Sequence, residues 1–133
     1  MLNRSRLALL AILGLSVNAS ANAPAAQPQR TVLERHEQSG VPGKDILIGT
    51  AFIPPGTALA FHTHPGDESG YVLKGPLILK IRGQQDRILV AGTSFFIARG
   101  TVHSLAAPSS GDAGMAVSTW IVDQGAELAT PVP

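Results

Sequence analysis

The chain has 133 residues, a length that holds one domain, and its 44% hydrophobic and 14% charged residues make it too apolar for a disordered protein. Fourteen glycines and ten prolines spread along it favour short strands joined by tight turns over a helix bundle. Cysteine is absent, which excludes a disulfide framework, a thiolate nucleophile and a Cys-based zinc site; a net charge of +1 with no Lys/Arg cluster gives no electrostatic case for nucleic acid.

The N-terminus is built as an address. Met1 to Arg6 is basic, Leu7 to Val17 is an apolar run, and Asn18 to Ala23 is small and polar, the three-part layout of a secretory signal peptide. The run is about eleven residues against roughly twenty for a bilayer-spanning helix, so no stable membrane anchor is expected. Of two Ala-x-Ala sites, cleavage after Ala21 is preferred, because a cut after Ala23 would leave Pro24 just past it. Residues 1–21 are thus expected to be a leader, with the mature protein periplasmic or secreted. Removing the leader takes Arg4 and Arg6 with it and leaves eight basic residues against nine acidic, a net charge of −1. Residues 22–30 read as a Pro/Ala/Gln linker, 31–124 as the folded domain and 125–133 as a loosely held C-terminal tail.

From Thr31 onward, short apolar runs alternate with Gly, Pro and Asp. Strands are expected at Thr31–Glu37, Ile46–Ile53, Ala60–His64, Gly70–Leu73, Leu77–Ile81, Arg87–Val90, Ser94–Ile97, His103–Ala107 and Ala116–Val122. Turns are expected at Pro42-Gly43, Pro54-Pro55-Gly56, Pro65-Gly66-Asp67, Gly75-Pro76, Arg82-Gly83, Ala91-Gly92 and Arg99-Gly100. Many short strands at regular spacing indicate an all-β sandwich or barrel.

The four histidines are His36, His62, His64 and His103. His62 and His64 flank Thr63 on an expected strand, where alternation points both imidazoles to one face. Glu68 follows after the Pro65-Gly66-Asp67 turn and could fold back beside them, giving a mixed nitrogen and oxygen site for a divalent transition metal. Two plainer readings fit the same pair: solvent-facing imidazoles, or core imidazoles satisfied by backbone carbonyls.

The wider frame, Gly56, His62, His64, Glu68 and Gly75, resembles the first signature motif of the cupin superfamily. A second stretch, Gly92, Ala98, Gly100 and His103, resembles the second motif, with Ala98 where proline is common and Ala107 where asparagine is common. The resemblance runs from about Gly49 to Val122. It implies a jelly-roll β-barrel of two antiparallel sheets in which His62, His64, Glu68 and His103 converge on one ion. It also implies a homodimer paired through edge strands, which would relieve the liability of an exposed edge. His36 is left over and expected on the surface, and Asp67 is expected as a solvated turn residue.

Three histidines and one carboxylate would leave one or two positions open on a metal that prefers five or six ligands. Iron, manganese, nickel, copper and zinc all suit the set. The leading functional expectation is a metal-dependent oxygenase, similar to quercetin-dioxygenase-like cupins, acting on a small organic molecule. An isomerase or lyase using the ion as Lewis acid, and a module that binds a metal or small ligand without turnover, are the alternatives. Phe52, Phe61, Phe95, Phe96 and Trp120 are expected mainly in packing. Tyr71, Lys80, Arg82 and Arg99 are candidates to reach a polar substrate, or simply solvated strand residues.

Overall fold

The computed structural model describes residues 24–133. The expected leader, residues 1–21, lies outside them. Among the described residues there are ten strands and no helix: β1 (Gln29–Glu37), β2 (Lys44–Ile53), β3 (His62–Thr63), β4 (Gly66–Lys74), β5 (Leu77–Ile81), β6 (Arg87–Leu89), β7 (Ser94–Ile97), β8 (His103–Ala106), β9 (Gly114–Asp123) and β10 (Thr130–Pro131). They form two five-stranded antiparallel sheets, ordered β1-β2-β9-β4-β7 and β10-β3-β8-β5-β6. The architecture is the expected all-β jelly roll.

The reason is the two-residue alternation of the long strands. On β2 the buried residues are Asp45, Leu47, Gly49, Ala51 and Ile53, and on β9 they are Gly114, Ala116, Ser118, Trp120 and Val122. The same parity on β4 buries Gly66, Glu68, Gly70 and Val72. These faces meet Leu77, Leu79 and Leu105 of the opposite sheet and Leu89, Phe95 and Ile97 to make the main core. Each fully buried aliphatic or aromatic side chain contributes about 1.5–3 kcal/mol. Gly70 is needed for that packing, since a Cβ there would overlap the Phe95 ring.

Three expectations are corrected. Pro65-Gly66-Asp67 is no turn: β4 already begins at Gly66, and Asp67 is an exposed strand residue whose carboxylate accepts the Arg99 backbone N–H at 2.9 Å. Only His64 and Pro65 separate β3 from β4, and these two strands belong to different sheets. The tail is not loose. β10 pairs with β3, the Val132 N–H donates to the Phe61 carbonyl at 2.8 Å, and Leu128 packs on Leu47, Trp120 and Val122. The segment read as linker also ends earlier than expected, because Gln29 and Arg30 open β1 and pair with Phe52 and Ala51.

Candidate metal centre

The two motif regions meet on a ladder. His62 of β3 is the direct antiparallel partner of His103 on β8, so both imidazoles project from one face. His64 follows on the same parity, and all three rings are buried, at 4%, 3% and 3% exposure for His62, His64 and His103. Glu68, 6% exposed, reaches them from the facing sheet and not from a hairpin on the same one. Gly100, with φ +74° in the turn before β8, donates its N–H to the His64 carbonyl at 3.1 Å and so ties the second region to the first. Ala98 serves in that turn without proline, its carbonyl accepting the Thr101 N–H.

Each ring is fixed by a backbone carbonyl on its Nδ1 side. His62 Nδ1 donates to Ala60 at 2.7 Å, His64 Nδ1 to Leu128 at 2.6 Å, and His103 Nδ1 to Thr101 at 2.8 Å. With the Nδ1 proton committed outward, a neutral ring turns a bare Nε2 lone pair inward. Glu68 Oε2 then lies 3.0 Å from His64 Nε2 and 3.3 Å from His103 Nε2, acceptor against acceptor, and His64 Nε2 is buried without a hydrogen-bond partner. This excludes the solvent-facing reading, and the backbone carbonyls engage only the outer nitrogens of the rings. The ligand nitrogens of the three histidines lie within 4.8 Å of one another, and such a cluster could bind one metal ion.

The electrostatics agree with an electron-rich pocket. Burial chiefly, with the Arg30 charge nearby, pushes the His62 pKa down to about 4, against the opposing effect of its bond to Ala60. Burial would raise the Glu68 carboxyl, but contacts with His103 and His64 outweigh it and hold the group well below the usual carboxylate range. Glu68 is therefore an anion facing the imidazole cluster, and a divalent cation would be complementary to it.

The cavity beside this cluster is small, about 10 Å³, and is lined mainly by Ala51, Leu59, Leu79, Phe95, Leu105 and Trp120, with Ser118 and Arg30 as its further polar residues. Sequence reasoning missed Arg30. Its guanidinium enters the barrel from β1 and donates from Nη2 to His62 Nε2 at 2.7 Å. A single charged residue at the start of a strand carries no signal that distinguishes it from a surface residue; only its pairing with inward-facing Ala51 reveals the direction.

The other candidates lie elsewhere. His36 is exposed and contacts Glu34 at 3.2 Å, as expected of a surface residue. Tyr71 is 47% exposed on the outer face, Lys80 pairs with Asp86, Arg82 sits over the Phe61 ring, and Arg99 pairs with Asp123. None of these lines the cavity. Of the aromatic residues, Phe95 and Trp120 line it, whereas Phe52 and Phe96 face outward. Ala107 belongs to the hydrophobic core and is not part of the cavity wall.

A family model described as "Cupin domain" matches residues 49–122, more than half of the chain. The chain belongs to the cupin family. This cupin is 38% identical over 74 residues to the HTH-type transcriptional regulator PuuR of Escherichia coli K12, a match covering 55% of this chain and 40% of the regulator. The chain thus spans less than half the length of that curated relative. Among solved structures it resembles the DMSP lyase DddQ of Ruegeria pomeroyi DSS-3, with a TM-score of 0.64 and 21% identity over 80% of this chain and 52% of the lyase. It also resembles a cupin superfamily protein of Desulfitobacterium hafniense DCB-2, with a TM-score of 0.61 and 16% identity over 90% of this chain and 100% of that one. At those identities the structural likeness establishes the fold.

Proposed function

We propose that His62, His64, His103 and Glu68 hold one divalent transition-metal ion, and that this cupin is a metal-dependent enzyme of oxygenase type acting on a small organic molecule. The observation that carries the reading is the shared tautomer: three Nδ1 protons given to carbonyls, three Nε2 lone pairs turned to one buried point beside an anionic carboxylate. An ion held there would supply open coordination positions and, if iron or manganese, one-electron chemistry. The chain's own residues supply the rest. The carbonyls of Ala60, Leu128 and Thr101 orient the rings, Glu68 offsets charge, and Leu79, Leu105, Phe95 and Trp120 keep the pocket dry.

The test is oxygen uptake by protein loaded with iron(II) or manganese(II), across phenols, enols and diketones. Uptake that disappears in His62→Ala supports the reading. Full metal content with no uptake on any compound counts against turnover.

Binding without turnover is the second reading, and one observation favours it. The titratable residues lining the cavity are Arg30, His62, Glu68 and His103, so no acid or base remains that is free of the proposed ligand set and able to exchange a proton. That the matched relative is named a transcriptional regulator is compatible with a sensing module. Lyase chemistry has the named DMSP lyases as fold relatives in its support, and the same missing base against it. Calorimetry showing ligand binding with no product formed would favour the binding module.

Export and pairing belong to the same proposal. The basic end and apolar run of residues 1–17 support a cleaved leader, which fractionation of the native host would test. The β1 edge, with Val32 and Leu33 exposed at 44% and 58%, supports a homodimer, which sedimentation would test.

A further inference from the structure

Arg30 is the one polar side chain that the first edge strand sends into the barrel. Its single hydrogen bond among the described residues goes to His62 Nε2, the lone pair that the proposed metal ion would need. A guanidinium carries five N–H donors, so most of this fork has no protein acceptor among the described residues. An ion on His62 would take away the one acceptor it has and set a second positive charge beside it. Glu68 is the carboxylate whose charge already acts on Arg30; with Glu68 engaged by an ion, a half-buried cation there would call for a further anion from outside.

The route and the other donor are also present. Arg30, Leu59 and His62 line both the 10 Å³ inner cavity and an open outer hollow of about 200 Å³, which Ala60, Ala129 and Pro131 also line. Arg30 therefore stands between the two spaces, and the inner one alone has room for about one water. Trp120, 2% exposed, lines the inner cavity, and its indole N–H has no partner among the described residues. With an ion bound and Glu68 engaged, Arg30 and Trp120 would be donors lacking a protein acceptor among the described residues.

We propose that Arg30 is the anion receptor at the mouth of the site, and that the molecule it admits is a small organic carboxylate entering through the outer hollow. The planar guanidinium fork matches a carboxylate by two parallel hydrogen bonds, which a neutral ligand cannot replace. The inference rests on the metal reading above and adds the chemical class of the ligand.

Calorimetry on the full mature chain separates the two. Zinc is titrated into metal-free wild type and Arg30→Gln; acetate and acetamide are then titrated into the zinc-loaded wild type, Arg30→Gln and Arg30→Lys, with melting curves confirming that each variant is folded. Loss of the competing guanidinium should tighten zinc binding in Arg30→Gln by roughly tenfold, and acetate binding should weaken by roughly tenfold to a hundredfold. Arg30→Lys should fall between, and acetamide should bind none of them. No zinc binding by wild type overturns the metal reading together with this inference. Zinc binding by wild type with acetate equally bound by wild type and Arg30→Gln, or with zinc no tighter in the variant, overturns the role of Arg30 and leaves the metal reading standing.

Discussion

His62 and His103 are direct partners across the antiparallel pair of β3 and β8, and their imidazole centroids lie 4.3 Å apart. Forty-one positions separate them in sequence, yet one rung of a ladder joins them. The ring separation is therefore set by strand spacing, which backbone hydrogen bonds fix, and not by flexible side-chain reach. His64, in the two-residue crossing between the sheets, and Glu68, beyond it on β4, complete the cluster.

If the rung holds an ion, removing either of its members should remove metal and stability together. A ligand present at a thousandfold excess over its Kd stabilises the fold by about 4 kcal/mol. His62→Ala and His103→Ala should lose that increment in thermal melts with and without metal, whereas exposed His36→Ala should keep it. Equal metal-dependent shifts in all three would refute the assignment.

The C-terminal segment should matter to the metal although it holds none of the donors. The Leu128 carbonyl takes the His64 Nδ1 proton, and loss of such a supporting acceptor lowers metal affinity about tenfold to a hundredfold. A chain truncated after Gly125 should show this loss in a competition assay with a coloured chelator. Unchanged affinity would mean that His64 is oriented by something other than the tail.

The metal-free protein should weaken in mild acid. The His62 pKa lies at about 4 in the folded state against 6.5 in the unfolded chain, so the unfolded chain takes up that proton first. The stability tied to His62 is fully present above about 6.5 and is lost as the pH falls toward about 4. Urea midpoints measured in chelator should fall more steeply over this window for wild type than for His62→Gln. Parallel profiles would contradict a buried neutral His62.

Gly70→Ala should destabilise the barrel by about 1–3 kcal/mol, the usual range for overpacking, because the new methyl would press the Phe95 ring into the cavity. Chemical denaturation checks this, and an unchanged midpoint would show that the ring has room to move.

Much of this was legible in the sequence where one period governs. Leu77–Ile81 and Ser94–Ile97 are strands with the expected bounds, because Leu77, Leu79 and Ile81, or Phe95 and Ile97, alternate cleanly between turn residues. The reading failed where glycine had a second meaning. Gly66 looked like a turn residue beside Pro65 and Asp67, but it is a strand residue that must lack a Cβ because one would overlap the Ile121 carbonyl on β9. The β10 pairing escaped notice because two residues ending in proline make no pattern, although proline is tolerated on an edge. Glu68 was legible as a neighbour of the histidines by spacing alone; that it arrives from the opposite sheet was not.

The most direct test of the metal centre is X-ray absorption at the metal edge on mature protein purified from its native host, together with the metal content per chain. The account predicts about one transition-metal ion per chain with imidazole scattering from three histidines and nitrogen or oxygen donors at roughly 2.0–2.2 Å. Protein that carries no transition metal above background, or metal without imidazole scattering, would contradict it.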